Sequence, residues 1–147
     1  MTAGPDPFDL ERFVTAQAQD FERALGELRA GRKRSHWMWY VFPQLRGLGM
    51  SHVSQLYGIS GIPEARAYLA HPVLGPRLLE TVAVLLATED LSAHDIFGSP
   101  DDLKLRSSAT LFAQAAGKGS PFDRLLEKFF DGEPDPVTLE RLNVASS

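Results

Sequence analysis

Apolar positions along the chain recur at helical spacing and are interrupted by capping residues. Leu10, Phe13 and Val14 share one side of a short helix that Asp9 could cap. Phe21, Leu25 and Leu28 fall at i, i+4, i+7 behind a second candidate cap, Asp20, and Gly31 stands where a helix C-terminal glycine belongs. Ser35 offers a cap before His36-Trp37-Met38-Trp39-Tyr40-Val41-Phe42, which Pro43 stops. Ser51 can cap a short helix to about Tyr57, and Pro63 starts another that ends before His71-Pro72. From Pro76, the stripe Leu78, Leu79, Val82, Leu85 and Leu86 is wide enough for a central core helix. Asp90 or Ser92 caps a turn to Phe97. Ser99-Pro100-Asp101-Asp102 gives the strongest start signal: a cap, proline at the first helical position and two acids in the first turn. The helix behind it places Leu105, Ala109, Phe112 and Ala116 on one face and ends at Gly117. Pro121 to Phe130 gives another helix, and Asp135-Pro136 opens a last one. No long window alternates as a strand does. The pattern predicts an all-α fold, a single compact domain of about eight to ten short helices over 1–147, with a flexible segment at 1–8 and a tail at 143–147.

Composition narrows the functional classes. The 147 residues are 44% apolar, too much for a disordered chain, and a chain this long has room for one domain. With no cysteine, disulfides, cysteine zinc sites and thiol nucleophiles are all excluded. The N-terminal residues have neither the basic start nor the apolar stretch of a signal peptide. The longest aliphatic run, Val82 to Ala87, is far short of a membrane span, so a cytoplasmic protein is expected. Net charge is -4, with +1 over residues 1–87 and -5 over 88–147, which argues against general nucleic-acid binding. The four histidines have no metal-ligand spacing, so neither a metal nor any other cofactor is expected.

Two segments could carry chemistry. Arg32-Lys33-Arg34-Ser35-His36 leads into a run holding both tryptophans. If Ser35 caps a helix, its first N–H groups favour an anion beside these basic side chains, and an aromatic ring can stack on a planar group. The plainer reading is that the basic residues complement the preceding helix end while Trp37, Tyr40 and Val41 form core. In the second segment, Asp102 and Arg106 are spaced as an i, i+4 pair, and Ser107 and Ser108 beside Lys104 could line a polar pocket or simply permit close helix packing.

Several strings resemble the domain-of-unknown-function 1810 family: Gly31 through Gln44, Ala65 through Gly75, Ile96 through Lys104, Arg106-Ser107-Ser108 and Asp6 through Phe13. The resemblance spans nearly the whole chain. It implies a mainly helical single domain and no established activity, although some members carry a calpastatin-like label. No catalytic assignment carries over from it.

The expected site is a cleft between residues 34–44 and the 102–108 helix, taking a small anionic, partly aromatic ligand that is nucleotide-like. Arg34 with Lys104 or Arg106 would hold charge, and Trp37 or Trp39 would stack. Ser35, Tyr40, Gln44, Asp102 and Ser107 complete the lining. His36 is the candidate acid/base for any hydrolytic chemistry, since histidine titrates near neutrality; whether the protein is an enzyme stays open. This site requires Arg34 and Arg106 to share one concavity. The alternative is a protein-interaction or regulatory module, or a homo-oligomer, using the basic 32–34 patch without catalysis.

Overall fold

The computed structural model describes residues 6–146, and among them it contains nine helices and no strand. In order these are α1 (Glu11–Arg29), α2 (Met38–Val41), α3 (His52–Leu56), α4 (Ile62–Ala70), α5 (Leu74–Ala87), α6 (Ala93–Phe97), α7 (Asp101–Ala116), α8 (Pro121–Phe130) and α9 (Pro136–Ser146). Residues 1–5 and 147 lie outside the described residues, as does most of the segment expected to be flexible.

Several termini follow from capping chemistry. Ser51, Ser92 and Ser120 each accept the N–H of the third residue beyond them, and Ser92 forms a reciprocal capping box with Asp95. Asp135 takes the same role for α9, accepting from the Thr138 N–H. Gly31 and Gly117 follow their helices at φ 81° and 99°, a region open to glycine.

Five local expectations are corrected. The two helices expected before Gly31 are one, because Thr15-Ala16-Gln17-Ala18-Gln19 holds no breaker and α1 runs through Asp20. Asp6 rather than Asp9 caps it, its carboxylate accepting the Leu10 and Glu11 N–H groups. Ser35 caps nothing. The helix there is only the four residues of α2, with Trp37 at its N-cap and no side-chain cap. Ser99 likewise yields the N-cap position of α7 to Pro100. At the far end, α9 continues through Ser146 where a tail was expected from 143.

The central helix is α7, not α5. Residues Ser107 to Ala113 are buried without interruption, which one stripe cannot do, so α7 is covered on several sides. It packs against α4, α6, α8 and α9, while α5 packs on α1, α4 and α8. Small side chains at Ser107, Ser108 and Ala109 let its neighbours approach. Gly75 does the same for α5: a Cβ there would stand 2.1 Å from the Leu69 carbonyl oxygen of α4. Leu79, expected in the core stripe, faces outward. The α5 face is completed instead by Leu74 and by Thr81, whose hydroxyl donates to the Leu78 carbonyl.

Candidate functional site

Between α2, the 44–51 loop and the N-terminal half of α7 lies an open cleft of about 420 Å³. That volume is in the usual range of small-molecule sites. Trp39 and Gln44 line one side, and Pro100, Leu103, Lys104 and Ser107 the other. Leu48, Gly49, Met50, Ser51 and Ser54 close a third side, and Asp135 and Val137 a fourth. The two segments singled out in the sequence therefore do meet.

The loop side is fixed by backbone. Gln44 and Ile59 bond main chain to main chain, as do Ile59 and Arg46, in an isolated parallel bridge. Gly47 has φ 97°, and the Arg141 guanidinium of α9 occupies the space a Cβ would need there. On the opposite side the Lys104 ammonium lies 4.7 Å from the centre of the Trp39 ring and 3.3 Å from an Asp101 oxygen. The Ser107 hydroxyl reaches both the Leu103 carbonyl and Asp135 Oδ2, each at 3.2 Å. Asp135 Oδ2 also accepts from Thr138 at the start of α9, where the helix end favours its negative charge. Three rim side chains are unusually exposed for apolar residues: Met50 at 88%, Leu103 at 57% and Val137 at 50%.

Of the other expected site residues, none lines this cleft. Trp37 is fully buried, in ring contact with Phe42 and Phe97, so it cannot stack on a ligand. Arg34 is exposed outside the cleft. Arg106 turns away and donates to the carbonyls of Glu133 and Pro134. The two arginines share no concavity, and a site held by that pair is overturned. Asp102 does not pair with Arg106 either. It lies 3.5 Å from the exposed His94 ring and accepts from the Leu103 N–H. Tyr40 stacks near Tyr57 and donates its hydroxyl to Asp20; burial, then that carboxylate, pushes the phenol above its ordinary range. His36 stands exposed beyond the cleft wall, which leaves it no acid/base role there. Among the described residues no group of three or more candidate ligands could hold a metal.

Ser35 has a different role. Its hydroxyl, its N–H, the Arg34 N–H and the Trp37 indole N–H all converge on the Glu27 carboxylate of α1, at 2.6–3.0 Å. The anion expected at this turn is the chain's own. Burial pushes the Glu27 carboxyl up, but the bonds from Ser35, Arg34 and Trp37 outweigh it and hold the group near 2, against an ordinary 4.5. A lowered carboxyl stabilises the fold above its ordinary value and loses that contribution as pH falls from about 4.5 to about 2. Because the group is part-exposed, solvent screening reduces the full linkage value to about 1–2 kcal/mol. Urea titrations at pH 5 and pH 2 should show that much greater loss in the wild type than in Glu27→Gln. Equal losses would contradict the role.

The basic patch also changes. Lys33 is only 7% exposed, with its ammonium 2.9 Å from Asp101 Oδ2, bonded to the Ser35 carbonyl and over the Trp37 ring. Only Arg32 and Arg34 remain as an outward-facing pair. The loop wall of the cleft left no mark in the apolar pattern, because Leu48 to Met50 carry no periodicity. Two large apolar residues flanking Gly49 were the available signal.

The model of the family described as "Protein of unknown function (DUF1810)" matches residues 7–142. The chain belongs to the DUF1810 family. Its fold is shared with a solved structure described as the conserved hypothetical protein Rv1873 from Mycobacterium tuberculosis. The two are 54% identical, with a TM-score of 0.92 over 94% of this chain and 99% of that one. No curated protein matches this DUF1810 domain. Among its described residues no single helix is long and apolar enough to cross a membrane.

Proposed function

We propose that this DUF1810 domain binds a small, partly aromatic, acidic molecule in the Trp39 cleft, and that a cytoplasmic metabolite is its ligand. One observation carries the reading. Trp39, Lys104, Gln44, Ser51, Ser54 and Ser107 line one open concavity, and the Asp135 carboxylate on its far side is already taken up by Ser107 and Thr138. Few polar groups among apolar walls is the composition of a ligand site. The loss of Arg34 and Arg106 from the cleft reduces the basic side chains lining it to Lys104, which disfavours polyphosphates. With His36 outside, the reading is of binding without catalysis by that residue.

Thermal shift and Trp39 fluorescence with indole-3-acetate, its neutral amide and adenosine monophosphate test it. Occupancy at 100 times Kd adds about 2.7 kcal/mol of stability. The acids are expected to stabilise the protein more than the amide, and Trp39→Ala or Lys104→Met should abolish the shift while Arg34→Ala leaves it intact. No shift from any probe, or an equal shift in all variants, would overturn the reading and favour the interaction module.

A further inference from the structure

The charge that the cleft presents is set by a residue outside it. Asp101 opens α7 and its two carboxylate oxygens face different lysines. Oδ2 is 2.9 Å from the Lys33 ammonium and Oδ1 is 3.3 Å from the Lys104 ammonium. Lys33 is nearly enclosed and its ammonium is further fixed by the Ser35 carbonyl and the Trp37 ring. Neither Lys33 nor Asp101 lines the cleft; Lys104 does. Two cations therefore share one anion, and the group carries one net positive charge. Of the other nearby charges, Arg106 faces Glu133; Asp102 lies beside the His94 ring, and Asp135, on the far wall of the cleft, keeps its formal charge with hydrogen bonds from Ser107 and the start of α9.

We infer that Lys33, by neutralising Asp101, leaves Lys104 as an uncompensated cation over Trp39, and so makes that wall of the cleft attractive to an anion. Without Lys33, Asp101 and Lys104 form a closed pair at i, i+3, and that wall offers no net charge to an anion. Lys33 is thus a positioning residue that acts through Asp101. The inference rests on the Trp39 cleft being a ligand site, but its electrostatic content can be measured with no ligand.

Iodide, an anionic collisional quencher, provides the probe, with neutral acrylamide as reference and ionic strength held constant with chloride. Trp37 is fully buried, so quenching reports Trp39. A unit charge about 10 Å away in water changes local anion concentration about 1.3-fold at about 0.1 M ionic strength, rising toward about 2-fold as salt is lowered. The iodide-to-acrylamide quenching ratio should fall by that factor in Lys33→Met, rise by it in Asp101→Asn, and return to the wild-type value in the double variant. Lys118→Met removes the same charge beyond the far end of α7, about 20 Å from Lys104, and should change nothing. Recovery in the double variant is what loss of packing alone would not give. If Lys33→Met fails to fold, the rise in Asp101→Asn still decides. An unchanged ratio in either single variant, no recovery in the double, or an equal effect from Lys118→Met would overturn the inference. Failure of the ligand probes with the ratios as expected would remove the proposed function alone.

Discussion

Glu64→Ala is expected to destabilise the protein by about 3–5 kcal/mol, the range for removing one partner of a buried ion pair. Glu64 is 2% exposed and lies 2.8 Å from the Arg12 guanidinium. Its other oxygen accepts the Ser60 N–H and hydroxyl at 2.9 and 2.8 Å. Truncation would leave a largely enclosed guanidinium without its counter-charge and a serine without its acceptor. Arg12 also donates to four carbonyls, those of Phe8, Asp9, Leu56 and Gly58, so it stitches the start of α1 to the chain between α3 and α4. For that reason an apolar replacement of both partners should not restore full stability, since these carbonyls would lose the guanidinium donors, and only those of Asp9 and Gly58 keep another partner among the described residues. Urea denaturation checks both: a loss under about 1 kcal/mol for Glu64→Ala, or full recovery in Arg12→Met with Glu64→Leu, would contradict this account. A loss in the expected range is large against a total stability of about 5–15 kcal/mol.

Trp37→Ala should cost about 3–5 kcal/mol, as truncations of large core aromatics do. The indole is fully buried against Phe42 and Phe97, and its N–H is one of four donors on Glu27. Trp39→Ala, two positions on, should cost far less, because Trp39 is only part-buried and one of its sides faces the open cleft. The contrast separates the two tryptophans by role: the first holds the structure, the second forms a wall of the candidate site. Chemical denaturation of both variants measures it. A comparable loss from each would mean that Trp39 is also a core residue and would remove the cleft's main apolar wall from consideration.

Helix starts and stops were legible where one residue decides them, as at Ser51, Ser92, Pro121, Gly31 and Gly117. Helix continuity was not. Asp20 looks like a cap in isolation, yet the tertiary structure gives it the Tyr40 hydroxyl as a partner in mid-helix. Ser35 has the sequence of a cap, but a glutamate eight residues earlier reaches its donors first. Glu64 is in sequence like any acid in a helix's first turn, and only the folded chain brings Arg12 from the start of α1 onto it. The convergence of Trp39 and Gln44 with Lys104 and Ser107 could be anticipated from two unusual segments. The direction of Arg34 and Arg106 could not, because a long guanidinium side chain chooses among carbonyls that only the folded chain supplies.

The strap from Glu133 to Asp135 hangs on α7 by side-chain bonds: Arg106 to two carbonyls, Thr110 to the Asp135 N–H and Ser107 to its carboxylate. The helix that follows packs chiefly on α7, with Thr138 and Leu142 as its buried residues through 143. Backbone fastened through polar side-chain bonds opens locally at lower cost than the packed centre. Since Asp135 and Val137 bound the cleft, such an opening would widen its mouth while the helical centre stayed intact.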